Sequence, residues 1–287
     1  MQNRIFSFSS KDTGTVLVIS EQSLLGLMAA RLGAENVIHI CEENHHIRDY
    51  LLSCSIANNL QERLSLESSD WLASADLSRV STVLAEPHFT VSVLPWHNLL
   101  FWFILSQLDL QPGVRISPCK ARMFCVPVHY THLWKIRAPL YEVEGFKMDH
   151  FDKIIEAAAD VSDCNVEPQP LWEYPCTALG PPVQVLELDL TSRVPGENTA
   201  FTGACAITDK SCPVNGVALW MEWSLDEENV VSGGPVEDVR VGSQISWDMD
   251  SKQGVHFLTA SRDYSKLKYN IELVPSEGDF TFKFELV

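Results

Sequence analysis

Apolar positions follow two different rhythms along the chain. Thr15-Val16-Leu17-Val18-Ile19-Ser20 is a short β-branched run, the composition of a strand buried on both faces of a parallel sheet. Within residues 22–32, Leu24, Leu25, Leu27, Met28 and Leu32 recur at helical spacing, and Gly33 supplies the stop. Asn36–Cys41 predicts a second strand, which makes residues 15–41 a strand–helix–strand unit with a right-handed crossover. A helix over Ile47–Gln61 and a strand over Val80–Ala85 continue the alternation. From Cys119 onward the rhythm changes. Val183–Leu190, Gly216–Ser224, Val255–Ala260, Tyr269–Val274 and Asp279–Val287 are short runs of Val, Phe, Trp and Leu set off by Gly, Pro and Asp. That is the pattern of an antiparallel sandwich or barrel. A helix over roughly Asp149–Asp160 interrupts it. The pattern therefore predicts an α/β half over residues 1–118 and a β-rich half over residues 119–287.

Composition narrows the class. A chain of 287 residues with 46% hydrophobic content can bury a large core in one or two domains. The longest apolar run near the middle is Leu99–Leu105, about a third of a membrane helix. The first residues lack the basic-then-apolar pattern of a signal peptide, so a cytoplasmic or nuclear location is expected. A formal net charge of −17 argues against a nucleic-acid surface. It suits solubility and also attracts basic partners such as arginine-rich protein tails. None of the eight cysteines forms a C-x-x-C pair, so buried, reduced thiols are expected rather than a disulfide scaffold. Cys205 and Cys212 share a polar stretch, but no His follows at zinc-finger spacing, and no metal site is expected.

Several blocks are distinctive: Ala85-Glu86-Pro87-His88-Phe89-Thr90, Leu94-Pro95-Trp96-His97-Asn98-Leu99, Leu133-Trp134-Lys135-Ile136-Arg137-Ala138-Pro139 and Glu144-Gly145-Phe146. Pro170-Leu171-Trp172-Glu173-Tyr174-Pro175-Cys176 and Ala218-Leu219-Trp220-Met221-Glu222 follow in the same order. In these the chain resembles the protein arginine N-methyltransferase family, and in particular the second module of its tandem members. The resemblance implies a Rossmann-like methyltransferase domain followed by an antiparallel β-barrel, with a helical arm at about residues 145–172. It also implies a chemical context, methyl transfer from S-adenosylmethionine to an arginine guanidinium. In the tandem members the first module carries the chemistry, associated with monomethylation.

Against the motifs that this resemblance brings, the chain departs at nearly every position. The three glycines of the cofactor loop, which let the backbone approach the ligand without a Cβ in the way, fall on Ile19, Glu21 and Ser23. Glu21 would also set negative charge near the cofactor's carboxylate. The acid that binds the ribose hydroxyls falls on Cys41, with Glu42 and Glu43 next; a shift of one residue would let Glu42 serve. The double-glutamate loop grips the guanidinium with two carboxylates about nine residues apart. Glu86 fills the first place and Pro95 the second, so Glu86 is read as vestigial. The Thr-His-Trp loop becomes Ile245-Ser246-Trp247, with Ser246 in place of the histidine. Ser246, Asp248, Met249 and Ser251 stand where tandem members carry cysteines able to hold zinc. About 14 residues precede the first strand, too few for the helical segment that closes over the cofactor, and the first module is expected to be missing.

The favoured expectation is thus a non-catalytic module packed, in cis or in trans, against a catalytic one, with Asp149–Asp160 and the strip Pro168–Pro175 as the arm reaching its partner. One alternative is an active arginine methyltransferase with an atypical cofactor loop and a second carboxylate such as Glu142 or Glu144. Another is an acidic module that offers Glu86, Glu42 and Glu43 to arginine-rich peptides without chemistry.

Overall fold

The computed structural model describes residues 14–20, 23–41, 45–86, 92–133, 140–161 and 165–287. They fall in two compact units. The first comprises the chain up to Ala121 with Leu188–Gly196 and Trp223–Val231; the second holds Arg122–Glu187, Glu197–Glu222 and Ser232–Val287.

The first unit is a parallel sheet with helical crossovers. Its elements are β1 (Thr15–Ile19), α1 (Leu25–Arg31), β2 (Asn36–Ile40), α2 (His45–Ala57), β3 (Leu64–Glu67), α3 (Ser69–Leu72), β4 (Val80–Ala85), a 3-10 turn (Pro95–Leu99), α4 (Leu100–Leu105) and β5 (Arg115–Ser117). Strand order is β3-β2-β1-β4-β5, with parallel pairing at each step. Every residue of β1 is buried, as the continuous β-branched run requires of a central strand. Leu25, Leu27, Ala29 and Ala30 of α1 pack with Val16, Val18, Val37 and Leu64 in one core.

Helices α1 and α2 end by the same device. Gly33 takes φ +112°, Gly33 N bonds to Ala30 O at 3.3 Å and Ala34 N to Ala29 O at 3.1 Å, the paired bonds of a Schellman stop. In α2 the left-handed residue is Asn59 at φ 56°, with Leu60 N on Ser55 O at 2.9 Å and Asn59 N on Ile56 O at 3.1 Å. The helix expected to reach Gln61 therefore stops at Ala57, because the asparagine adopts the αL conformation that a helix cannot propagate.

The second unit is antiparallel, as the segment pattern predicts. It contains β6 (Lys120–Tyr130), β7 (Glu142–Val143), β8 (Phe146–Lys147), α5 (Asp149–Val161), β9 (Glu167–Gln169), β10 (Cys176–Ala178), β11 (Val183–Asp189), β12 (Thr199–Ala206), β13 (Val214–Ser224), β14 (Val230–Ser232), β15 (Gln253–Ser261), β16 (Lys266–Val274) and β17 (Asp279–Leu286). A few residues at the ends of β6, β11, β13 and β14 fall in the first unit. A seven-stranded sheet runs β10-β6-β13-β15-β9, with β11 on β6 and β14 on β13; β12-β16-β17 form a separate three-stranded sheet. Tyr130, Leu133, Leu171, Trp220, Trp247 and Val255 share a core, where Trp220 stacks on Phe124 at 5.5 Å and meets Trp247 edge-on at 5.7 Å.

The arm is shorter than expected. β7, β8 and α5 form it, but Glu167–Gln169 pairs with β15 and Leu171 is 2% exposed in the core, where Trp172 and Tyr174 join it. Two prolines, Pro168 and Pro170, keep this strip out of helix. Pro168 sits on β9, an edge strand, where a missing donor is tolerated. Its aromatic content serves the sheet core rather than a projecting arm.

Candidate functional site

An open parallel sheet binds its ligand outside the carboxyl ends of its strands, where the strand order reverses. Here the chain leaves β1 on one side for β2 and β3 and on the other for β4 and β5, so the crevice position is fixed by the ends of β1, β2 and β4. Ile19 ends β1, in register with Ile40 on one side and Ala85 on the other. Its side chain is 1% exposed and belongs to the packed sheet. Ser20 follows, also buried, with its Oγ unpaired among the described residues. Ser23 is buried and its Oγ accepts the Leu25 N–H at 3.2 Å, which satisfies an otherwise orphaned donor at the start of α1. Cys41, at the end of β2, is buried, with its N–H on Glu67 O at 2.8 Å. Glu86 is half-buried one residue beyond β4. The candidate positions Glu21 and Glu42, with Glu43 beside it, lie outside the described residues, as do Pro87–Val91 and Trp134–Pro139.

The residue that organises these strand ends was not singled out by the sequence reading. His39 on β2 is fully buried and its Nε2 lies 3.2 Å from Ser20 O. A carbonyl accepts, so Nε2 carries the proton and Nδ1 is a bare acceptor with no partner among the described residues. Burial lowers the imidazole pKa from 6.5 to about 4, against a smaller raising effect of the Ser20 bond, so the ring is neutral at physiological pH. Gly26 of α1 lies over it: a Cβ there would come within 2.6 Å of His39 Nδ1. The glycine of this turn region thus makes room for the histidine ring. The only sequence signal was a lone ionisable residue in Asn-Val-Ile-His-Ile, a strand otherwise suited to full burial.

The place expected for the second glutamate lies in an ordered turn. Pro95 opens the 3-10 turn and is buried. No Ser, Thr or Asp precedes it, and His97 does the capping: its Nδ1 accepts from Val93 N and Leu94 N, both at 3.3 Å. Trp96 is 2% exposed. The turn is held by an imidazole and a buried indole, with no carboxylate at the second place.

Ser246 lies in the second unit and is exposed, while Trp247 beside it is buried and donates Nε1–H to Cys176 Sγ at 3.3 Å. Cys205 faces Cys125, the two sulfurs 3.3 Å apart; strand pairing carries Cys205 into the core while Cys212 stays half-buried. Among the described residues no three His, Cys, Asp or Glu side chains converge in a way that could hold a metal ion.

No family model matches the chain. Protein arginine N-methyltransferase 7 of Drosophila mojavensis is 38% identical over 285 residues, covering 94% of this chain and 40% of its own length. The Drosophila virilis protein of the same name is 39% identical over 281 residues, covering 94% and 40%. That of Drosophila melanogaster is 36% identical over 282 residues, covering 95% and 40%. The chain therefore spans about two fifths of the length of the curated relatives it matches. Among solved structures, the Trypanosoma brucei PRMT1 enzyme-prozyme heterotetrameric complex with AdoHcy superposes with a TM-score of 0.69 at 13% identity, over 95% of this chain and 83% of that one. PRMT6 gives 0.60 at 15% identity, over 97% and 93%. Arabidopsis thaliana protein arginine methyltransferase 10 gives 0.59 at 14%, over 90% and 79%. Over nearly its whole length the chain resembles one module of protein arginine N-methyltransferase 7, and it has the fold of the arginine methyltransferases of known structure.

Proposed function

We propose that this chain is a non-catalytic methyltransferase module, corresponding to the second half of the tandem relatives, that packs against a catalytic arginine methyltransferase module. One observation carries the reading: the described residues at the carboxyl ends of the central strands are buried in the chain's own packing. Ile19 and Ser20 are buried, Ser23 bonds back to Leu25 N, and a buried thiol, Cys41, ends β2. These residues do not fit S-adenosylmethionine, which needs backbone free of Cβ atoms along its length and acceptors for its ribose hydroxyls. Glu86 alone gives the guanidinium a single carboxylate, and the 3-10 turn opened by Pro95 is capped by His97. Among the described residues neither the orienting grip nor the cofactor position is supplied, so no methyl-transfer step is assigned to this chain.

What the chain offers a partner is the arm. Tyr141, Val143, Phe146, Phe151 and Ile154 of the β7–β8 hairpin and α5 are 42–73% exposed, a concentration of large apolar groups that marks an interaction surface. The chain's share of its relatives' length leaves room on the same polypeptide for a catalytic module. The enzyme–prozyme assembly of the Trypanosoma brucei neighbour supports pairing between unlike modules. Acidic surface, with net charge −17, would then help recruit arginine-rich substrates to the assembly.

Isothermal titration with S-adenosylmethionine, and separately with S-adenosylhomocysteine, tests the reading. No saturable heat is expected up to roughly millimolar ligand, a free energy weaker than about −4 kcal/mol. Saturable micromolar binding would overturn it and make turnover of an arginine peptide the next assay.

A further inference from the structure

We propose that Cys125 and Cys205 are a redox-active dithiol, a modification site that hydrogen peroxide converts to a disulfide tying the seven-stranded and three-stranded sheets of the second unit together. The residues are 80 apart in sequence and stand on different sheets, Cys125 within β6 and Cys205 near the end of β12, yet their sulfurs meet at 3.3 Å. Both are fully buried. Two other thiols point elsewhere: Cys176 Sγ takes the Trp247 indole N–H, and Cys119 Sγ bonds to Ser224 O.

The burial of Cys205 is shallow. It is the one buried residue of β12, and Gly203, Ala204 and Ala206 around it are exposed. β12 is also the edge of its sheet, paired with β16. Edge strands open locally at a free energy well below that of global unfolding, which admits a molecule as small as peroxide. The hydrogen bond that Cys205 receives from Cys125 lowers the Cys205 pKa, and the same contact together with burial raises that of Cys125. Cys205 is thus the attacking thiolate and Cys125 the resolving thiol.

The chemistry balances with peroxide as the oxidant. The Cys205 thiolate attacks one peroxide oxygen, the O–O bond breaks, and hydroxide leaves and takes up the proton released by Cys205, giving water and a sulfenic acid. The Cys125 sulfur then attacks the Cys205 sulfur, the S–O bond breaks, and the hydroxyl departs as a second water with the Cys125 proton. Two thiols lose two electrons, and one peroxide gains them.

The test is exposure of the purified chain to stoichiometric hydrogen peroxide, followed by denaturation, alkylation and mass analysis. The expected product is about 2 Da lighter before alkylation. It takes up six alkyl groups instead of the eight its cysteines allow, and digestion yields a Cys125–Cys205 cross-linked peptide. Cys205→Ser abolishes the cross-link, whereas Cys212→Ser, seven residues away, retains it. Eight alkylated thiols after treatment would overturn the proposal. So would a disulfide between other cysteines, or a sulfinic acid at Cys205 with Cys125 still free.

Discussion

The carboxyl ends of the parallel strands and the arm are built on opposite principles. At the strand ends, where the fold would place a ligand, Ile19, Ser20, Ser23, His39 and Cys41 are all buried. In the arm, Phe146 is 73% and Tyr141 68% exposed, although apolar burial is the main source of folding free energy. Yet the arm's backbone is tightly organised. Glu144 at φ 51° and Gly145 at φ 82° make the two-residue turn between β7 and β8, the primed geometry that matches strand twist. The Asp152 carboxylate, 8% exposed, accepts Leu140 N at 2.8 Å and Tyr141 N at 2.9 Å, which holds Tyr141 at φ 60°. A region with an organised backbone and an apolar surface suits the partner-docking role proposed for it. Strand ends whose described residues are all buried contribute to stability.

The sharpest way to break this contrast is Ile19→Gly. If the end of β1 were a ligand loop, a glycine would be tolerated there. As a fully buried strand residue, Ile19 should cost about 3–5 kcal/mol when removed, from the cavity and the added backbone entropy, read as a lower urea midpoint with unchanged slope. A smaller effect follows from His39. Its folded pKa of about 4 lies below the ordinary 6.5, so the unfolded chain takes up the proton more readily. The stability contribution is therefore fully present above pH 6.5 and is lost as pH falls to about 4, by about 3 kcal/mol in all. His256 is depressed in the same direction by its own burial, so the decisive comparison is with His39→Leu. That variant should flatten most of the slope in this range; an unchanged slope would remove His39 from the account. The carboxylates Asp189 and Asp226, held low by hydrogen bonds from Thr191 and Ser192 and from Asn229 and Glu228, act at still lower pH.

These tests fall where the sequence was legible for reasons of periodicity and illegible for reasons of packing. The buried run of β1, the helix stop at Gly33, the strand Val80–Ala85 and the helix over Asp149–Asp160 could all be read, because a repeat or a turn residue states them locally. Asn59 was a stop as good as Gly33, but an asparagine enters αL only when its surroundings demand it, and α2 was read too long. The absence of glycine at Ile19 and Ser23 was plain in the sequence; that a histidine from the neighbouring strand braces the same turn was not, since only the parallel register brings His39 beside Ser20. The strip Pro168–Pro175 misled because aromatic residues suit an exposed arm and a buried core alike. For the sulfurs, the sequence predicted buried thiols but not that Cys205 meets Cys125, because that contact depends on how two sheets face each other.

Asp152→Ala sharpens the arm side of the comparison. It leaves two part-buried backbone donors without their carboxylate, at a cost of about 1 kcal/mol. That cost should be confined to residues 140–152, so faster hydrogen exchange there with unchanged protection in β1 and β4 is the expected result; uniform loss of protection would mean that the arm is part of the global fold.

The smallest expected change in stability comes from Phe146→Ser, and it discriminates best between a docking surface and an incidental one. Phe146 is 73% exposed in the chain by itself, so its removal takes away almost no internal contact and should shift unfolding by less than about 0.5 kcal/mol. In a complex with a catalytic arginine methyltransferase module, an aromatic anchor of this kind is worth about 2 kcal/mol or more, which is a loss of affinity of roughly thirtyfold. Sedimentation of wild-type and variant chains with that module reads this directly. Equal affinities would detach the arm from the proposed pairing while leaving the account of the packed strand ends intact. A thirtyfold loss at unchanged stability would mean that the apolar surface on this hairpin serves association, as the contrast between the two regions requires.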